Sequence, residues 1–334
     1  MKKYSIILLA VAVAILCALL YKTYNREEDK KQAGLTKVRV QLQWFDGAQF
    51  IGLYVAKKQN FFEDEELDVE LISGSYSIDP FQVVSEGRAD IGMATGDRVL
   101  IQFAEKRDIK AFGTVFNQST ACFMAMKGKV DSLNNFKGKK IGVYSNYDTE
   151  NILRSLLLLH NINTSEVTIV QAGDIAAFKT GEIDLFPSYV FNEPITMELE
   201  GIQPKLFYPK DYGVTFYSDT YFSTDKYYKD NRDVVKRFLR ASAKGWDYAK
   251  NNQKESIKMM FDTIKNMTFN ENHIKEEKSL EEIAKYLGDG NERKINYMQR
   301  EKWNEMENLL VKIGKIKQTG NVDDLCDFKI IDEQ

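Results

Sequence analysis

Aromatic and polar side chains stand together where short apolar runs of this sequence end. Trp44, Phe45 and Asp46 follow one such run, and Gln49 comes three residues later. Aromatic faces can sandwich a flat molecule, while carboxylates and amides form hydrogen bonds along its edge. These residue types favour the binding of a small, flat, polar ligand. Equivalent positions after later runs supply the other candidate ligand-binding residues, Ser75, Thr95, Gly96, Asp97, Asn117, Asn146, Tyr147, Asp148, Tyr189, Asn192 and Glu193.

Several of these candidates have a structural alternative that the sequence leaves open. Asp46, Asp97 and Asp148 stand where helices are predicted to begin, and an aspartate commonly caps the first turn there. Trp44 lies on the apolar face of its predicted strand, so packing in the core competes with stacking on a ligand. Glu193 is different, because the stretch FPSYVFNEP gives little structural reason for an acid.

Motifs that would indicate catalysis or a metal site are missing from the sequence. No G-x-S-x-G, Walker, H-E-x-x-H or dinucleotide glycine pattern occurs. His160 ends a predicted helix, where a cation suits the helix dipole, and His273 has a solvated helical position. Cys17, Cys122 and Cys326 lie too far apart for a zinc pattern, and nothing supports a disulfide. We therefore expect no catalytic residue, metal or cofactor.

Net charge also excludes some functions. The 334 residues include 46 basic and 49 acidic side chains, for a formal net charge of −3, so no basic field exists to hold nucleic acid. Arg98 is the one cation among the candidate loops, which disfavours a phosphate-bearing ligand.

The candidates are positioned by alternating strands and helices. In KVRVQLQW the apolar residues recur with period two, which predicts a strand, and helical patterns separate it from the strands that follow. Such alternation is typical of α/β folds with largely parallel strands. In open sheets of this kind ligands bind beyond the carboxyl ends of the strands, where the candidates stand.

The strand and helix pattern restarts near KKIGVYS, which predicts two α/β lobes joined by a hinge. We assign residues 37–126 and 225–334 to the first lobe and residues 127–224 to the second. After about residue 225 the sequence is mostly helical, and we expect these helices to pack on the first lobe. The strand ends of the two lobes then face each other across a cleft.

The first 36 residues form a separate segment. After two lysines, an uncharged run from Tyr4 to Tyr21 is long enough to cross a bilayer, so residues 1–21 are a membrane anchor or a signal segment. Lipidation at Cys17 is an alternative. Residues 22–36 are polar and predict a solvated stalk. The body of the chain is expected on the extracytoplasmic face of the cytoplasmic membrane.

Four stretches carry a family resemblance: VQLQWFDGAQFIGLYVAKKQNFFEDEELDVEL, SEGRADIGMATGD, FKGKKIGVYSNYDTE and YVFNEPITMELEG. Together they resemble the periplasmic solute-binding proteins of ABC importers in the SsuA and ThiY-like group. The resemblance runs from about residue 37 to about residue 260. It implies a type II periplasmic binding protein fold that closes around its ligand, and an ABC permease as partner.

The resemblance also implies a set of ligands. A pyrimidine precursor of thiamine comes first, followed by riboflavin-like compounds, alkanesulfonates and nitrate. Anions are disfavoured, since Asp46, Asp97 and Glu193 would repel them. A ligand-sensor domain is a further alternative.

Thiamine pyrimidine synthases belong to the same group and use a lysine-bound pyridoxal phosphate and a histidine of their own. In those enzymes the lysine and the histidine lie on the segment after the third strand, and a cysteine-rich run lies near the second connection between the lobes. Here the first segment reads GMATGDRVL, without lysine or histidine, and the second reads YGVTFYSD, without cysteine. The synthase activity is therefore not expected.

Overall fold

The computed structural model describes residues 34–145, 147–264, 269–288, 294–318 and 320–333. The predicted anchor, Cys17, most of the stalk and Asn146 lie outside these residues. Within the described ranges, no helix has the length and apolar character to cross a bilayer. Strands in this part of the chain are β1 (Thr36–Gln41), β2 (Leu67–Ile72), β3 (Ile91–Ala94), β4 (Lys110–Thr114), β5 (Ala121–Ala125), β6 (Lys140–Val143), β7 (Thr168–Gln171), β8 (Leu185–Tyr189), β9 (Lys205–Phe207) and β10 (Thr220–Ser223).

Helices connect and cover these strands. In the described residues they are α1 (Ile51–Lys58), α2 (Phe61–Asp64), α3 (Pro80–Ser85), α4 (Gly96–Ala104), α5 (Thr149–Leu159), α6 (Ala176–Lys179), α7 (Glu193–Leu199), α8 (Asp225–Asp230), α9 (Arg232–Asn251), α10 (Gln253–Thr263), α11 (Phe269–Ala284), α12 (Arg300–Lys312) and α13 (Val322–Leu325).

The first lobe is built on a sheet with the order β2-β1-β3-β10-β4. Strands β1, β2 and β3 are parallel, with Val38 opposite Val69, and β10 is antiparallel to both of its neighbours. Val38 and Val40 are fully buried, which explains the period-two pattern in the sequence. The predicted α/β lobe is confirmed.

The second lobe repeats this plan with the order β7-β6-β8-β5-β9. Here β6, β7 and β8 are parallel, and β5 is antiparallel to β8. Each sheet thus contains one antiparallel strand that follows a crossing of the chain between the lobes. The two α/β lobes of the predicted fold class are therefore present.

Sheet membership shifts both predicted lobe boundaries by one strand. We assigned residues 121–125 to the first lobe, but β5 pairs with β8 and β9 in the second sheet. We assigned residues 220–223 to the second lobe, but β10 pairs with β3 and β4 in the first. The apolar pattern hides these crossings, because β5 is entirely buried and follows the equally apolar β4. Cys122 in β5 and Cys326 are both buried free thiols.

The C-terminal helices pack on the first lobe as predicted, and two of them also reach the second. Helix α9 lies against α1 so closely that a Cβ on Gly245 would stand 2.0 Å from the carbonyl oxygen of Gly52. Helix α12 contacts α4 of the first lobe and α5 of the second, and its Trp303 is fully buried. These helices add to the connection that the two crossings make between the lobes.

Two buried carboxyl groups lie where the lobes meet. Asp97 of α4 accepts a 2.7 Å hydrogen bond from the side-chain amide of Asn151 in α5, which joins the lobes directly. Asp148, just before α5, accepts hydrogen bonds from the hydroxyls of Tyr189 at 2.9 Å and Ser119 at 3.1 Å. Neither aspartate caps its helix through its side chain. Burial, and then the charge of Asp97, raise the pKa of Asp148 to about 7.

The raised pKa makes stability depend on pH. Between pH 3.8 and about pH 7, Asp148 keeps its proton in the native state but loses it in the unfolded chain. Its contribution to the free energy of unfolding is therefore complete below pH 3.8 and is lost as the pH rises through about 7. In Asp148→Asn we expect the free energy of unfolding to fall less between about pH 5 and about pH 8, by on the order of a few kcal/mol. Urea unfolding at both pH values measures the difference.

The matched control is Asp131→Asn, which removes an exposed carboxylate of the second lobe. This variant should follow the wild-type pH dependence. If the free energy of unfolding changed equally with pH in Asp148→Asn and in the wild type, the raised pKa of Asp148 would be contradicted.

Candidate functional site

A cavity of about 520 Å³ lies between the two lobes, at the edge where the parallel strands end. Both lobes contribute to its lining. Its walls are formed by Gln43, Trp44, Phe45, Gln49, Tyr76, Thr95, Tyr144, Tyr147, Gln171, Ala172, Gly173, Asp174, Tyr189, Phe191, Asn192 and Glu193. No lysine, arginine or histidine occurs among the described residues that line it.

Eight of the predicted site residues line this cavity, so it lies between the strand-end loops that the sequence analysis selected. The first lobe supplies four and the second lobe four: Trp44, Phe45, Gln49, Thr95, Tyr147, Tyr189, Asn192 and Glu193. The hydroxyl of Thr95 is buried without a partner in the described part of the chain, so it can bond to a ligand that enters.

Three predicted aspartates serve neither as cavity lining nor as helix caps. Asp46 accepts hydrogen bonds from the hydroxyls of Tyr54 and Ser73, behind the Trp44 wall. Asp97 and Asp148 are held at the contact between the lobes, as described above. The sequence could not reveal these partners, because they lie on separate elements of the fold.

Three other predicted residues also lie outside the cavity lining. The hydroxyl of Ser75 bonds to that of Ser77 within its own loop. The backbone N–H of Gly96 donates at 3.0 Å to the carbonyl of Tyr217, which lies in the second crossing between the lobes, the segment from β9 to β10. The backbone N–H of Asn117 donates to the carbonyl of Tyr286. Gly96 and Asn117 thus connect strand ends to other segments, whereas Ser75 bonds only within its loop in the described structure.

Aromatic rings form one wall of the cavity. Trp44 meets Phe45, Tyr76 and Tyr147 edge to face, with ring centroids 4.7 to 5.4 Å apart. The contact with Tyr147 crosses from the first lobe to the second. Trp44 also packs against the core of the first lobe, as the structural alternative predicts, while stacking on a ligand stays a prediction. The wall offers apolar area and ring faces to a flat ligand.

A buried carboxylate orients two amides of the cavity wall. The side-chain amide nitrogens of Gln43 and Gln49 donate to one oxygen of Asp219, at 2.8 and 2.9 Å. Ser218 donates to the other oxygen at 2.9 Å. Burial raises the pKa of Asp219, while these donors act in the opposite direction. With both nitrogens bonded to Asp219, each amide oxygen is directed away from that carboxylate and can accept from a ligand.

Glu193 places an acid on the opposite side of the cavity. Its carboxylate accepts from the backbone N–H of Tyr189 and from the side-chain amide of Asn192, both at 3.0 Å. Lys275 of α11 donates to the amide oxygen of Asn192 at 2.8 Å. Burial raises the pKa of Glu193 against these donors. Both Glu193 and Asn192 are therefore held in fixed orientations.

Tyr189 presents its ring to the cavity, because its hydroxyl is bonded to Asp148. The ring lies beside that of Phe191, with centroids 6.1 Å apart and an angle of 26° between the planes. A ligand in the cavity thus meets apolar area from the second lobe as well as from Trp44.

Sequence reasoning missed eight lining residues. Gln171 ends β7 and Ala172, Gly173 and Asp174 follow it, so the strand-end rule could have included them. Tyr76 and Tyr144 lie within two residues of predicted positions. Gln43 and Phe191 gave no signal beyond their neighbours. Asp219, behind the lining, precedes an antiparallel strand and so falls outside the rule.

The lining offers ring faces and hydrogen-bonding groups, and two kinds of bound group can be tested against it. In the described part of the chain, no group of three or more His, Cys, Asp or Glu side chains is placed to hold a metal ion. Pyridoxal phosphate does not fit the cavity wall either, since no lysine lines it to form the Schiff base and no cation lines it to hold the phosphate.

Comparisons with known proteins agree with the two-lobed fold. The chain is 24% identical over 266 residues to a formylaminopyrimidine-binding protein of Halalkalibacterium halodurans, covering 78% of this chain and 79% of that protein. It is 22% identical to a 4-amino-5-hydroxymethyl-2-methylpyrimidine phosphate synthase of Candida albicans, covering 64% and 67%. The structure is similar to the aliphatic sulphonate binding protein SsuA of Escherichia coli, with a TM-score of 0.68 and 13% identity over 89% of this chain and 99% of that one.

A second solved structure, the alkanesulfonate-binding protein SsuA of Xanthomonas axonopodis pv. citri bound to MOPS, is similar with a TM-score of 0.66 and 14% identity over 87% of this chain and 98% of that one. These likenesses establish the periplasmic binding protein fold. A family model described as NMT1/THI5 like matches residues 47–256. Because that match covers more than half of the sequence, the chain belongs to the NMT1/THI5-like family.

Proposed function

We propose that this chain is the extracytoplasmic solute-binding protein of an ABC importer, and that it captures a small aromatic heterocycle. The observation that carries the proposal is the cavity between the lobes, whose described lining combines aromatic rings, fixed amides and acids without a lysine, arginine or histidine. Such a lining suits a flat molecule with hydrogen-bond donors on its edge. The permease of the importer is the proposed partner.

A thiamine pyrimidine precursor is the first ligand we propose. The similarity to a formylaminopyrimidine-binding protein supports this choice. The amino group of an aminopyrimidine has two N–H donors, which suit the amide oxygens of Gln43 and Gln49 or the carboxyl of Glu193, and the ring has two faces for the aromatic walls.

Alkanesulfonates and nitrate fit the same cavity poorly. The fold is similar to that of sulfonate-binding proteins, but fold similarity does not carry a ligand across. Glu193 and Asp174 line the cavity, and a buried anion beside them would find no cation among the described lining residues to offset its lost hydration.

Binding of the pyrimidine should raise the melting temperature of the purified domain. At a ligand concentration of about 100 Kd, binding adds roughly 2.7 kcal/mol, which corresponds to several degrees. Trp44→Ala removes the central ring of the aromatic wall and Glu193→Gln removes the acid, so both should abolish the rise. Thermal unfolding with and without 4-amino-5-hydroxymethyl-2-methylpyrimidine measures it.

Two control variants separate binding from folding in this experiment. Trp44→Phe keeps an aromatic ring and should retain part of the rise. Glu182→Gln removes an exposed acid of the second lobe and should behave as the wild type. No rise with any thiamine or flavin precursor at millimolar concentration would refute the ligand assignment.

We propose binding rather than synthesis, although relatives at 21 to 23% identity include pyrimidine phosphate synthases. Pyridoxal phosphate added to the purified protein should give no absorbance of a stoichiometric Schiff base that the pyrimidine displaces. Trp44→Ala serves as the control, because weak reaction with surface lysines is the same in both proteins. A stoichiometric, displaceable absorbance in the wild type alone would favour the synthase.

We also propose that the uncharged run from Tyr4 to Tyr21 tethers the protein to the membrane. After carbonate extraction, the full-length chain should stay in the membrane fraction and a variant lacking residues 1–36 should be soluble. Release of the full-length chain into the soluble fraction would contradict the tether.

A further inference from the structure

Acidic groups outnumber cations around the cavity. Asp174 and Glu193 line it. A second layer of carboxyls contacts the lining from behind, with Asp219 bonded to Gln43 and Gln49, and Asp148 bonded to Tyr189. Such a surrounding favours positive charge over negative charge inside the cavity.

Among the described residues, Lys275 and Arg98 are cations that contact the lining, and each has a bonded partner. Lys275 donates to the side chain of Asn192. The guanidinium of Arg98 lies between the rings of Phe81 and Tyr147, 5.0 and 5.8 Å from their centroids, and pairs with Asp79 at 3.2 Å. Neither cation lines the cavity itself, and each already has a protein partner, so neither is required as the counter-ion of a bound anion.

The aromatic wall is suited to a cation as well as to a flat ring. Trp44 and Tyr76 meet at 83°, Trp44 and Tyr147 at 88°, and Phe45 and Tyr76 at 67°. Rings at such angles form adjoining walls, and the face of an aromatic ring attracts a cation. Phe45 is 44% exposed and Tyr76 is 80% exposed, so this wall continues to the solvent-facing side of the cavity. Because these rings are exposed, packing in the core does not explain them, whereas binding of a cation would.

The cavity is also larger than a single ring requires. Its volume of about 520 Å³ lies within the range that holds drug-sized ligands. One part can therefore take a ring beside Tyr189 and Glu193, while the wall formed by Trp44, Phe45 and Tyr76 remains open to a second group.

We propose that the cavity accepts an extended organic cation, in which an aromatic ring is joined to a second group that carries a quaternary or protonated nitrogen. The inference rests on the proposed binding function and goes beyond it, since a pyrimidine precursor alone is a single ring. The ring faces and the two lining carboxylates replace the hydration that the cation loses on entry.

The test uses two probes with the same heavy-atom skeleton and different charge. N-benzylpyridinium is a permanent cation, and 4-benzylpyridine is neutral at about pH 8. Isothermal titration of the purified domain should give at least about tenfold tighter binding for the cation, the size expected of partly desolvated cation–π contacts.

Charge-removing variants locate the preference in the cavity. Asp174→Asn and Glu193→Gln keep the side-chain shape and should each reduce the ratio of the two affinities by about threefold or more. Asp174 also accepts from the backbone N–H of Ala176 at 2.7 Å, a bond that asparagine can replace. Glu182→Gln changes the net charge equally, far from the lining, and should leave the ratio unchanged.

Equal affinities, or tighter binding of the neutral probe, would overturn the proposal. Failure of both probes alongside binding of 4-amino-5-hydroxymethyl-2-methylpyrimidine would overturn it as well, while leaving the proposed function intact. If neither the pyrimidine nor either probe bound, both the proposed function and the proposed binding of a cation would be refuted. A cation preference that survives both acid-removing variants would also count against the cavity as its source.

Discussion

The buried carboxyl of Asp219 is the constraint on which the first wall of the cavity depends. No lysine or arginine is bonded to it in the described structure, so its hydrogen-bonding demand is met by side-chain donors. Two of these donors, Gln43 and Gln49, lie on either side of Trp44 and Phe45 in sequence. The segment that carries the aromatic wall is therefore held at both ends by a residue from the second crossing. A displacement of Asp219 would therefore disturb both the aromatic wall and the amides of Gln43 and Gln49.

A hydrogen bond and apolar packing also connect the lobes. The bond from Asn151 to Asp97 joins α5 to α4, and α12, whose Trp303 is fully buried, contacts both of these helices. A polar and an apolar contact between the lobes therefore involve the same pair of helices. The contact of Trp44 with Tyr147 is closer to the solvent and is made by half-buried rings, which leaves it easier to separate.

Parallel strands explain how much of the site could be predicted from sequence. Trp44, Thr95 and Tyr189 stand where β1, β3 and β8 end, and the rule that ligands bind at such ends found them. Asp219 escaped that rule because β10 runs the other way: its first residue, Thr220, pairs with the last residues of β3 and β4. The amino end of an antiparallel strand therefore reaches the same edge. The roles of Asp97 and Asp148 required knowledge of which helices meet between the lobes, which periodicity does not contain.

Helix α11 touches both sides of the cleft through neighbouring residues. Glu276 accepts from the backbone N–H of Ala48 at 2.7 Å, next to Gln49, and Lys275 donates to Asn192. Because the two residues are consecutive on one helix, the reach of their side chains limits the distance between Ala48 and Asn192. Opening the cleft beyond that reach must break one of these two hydrogen bonds. The helix therefore adds a cost to wide opening that a hinge alone would not impose.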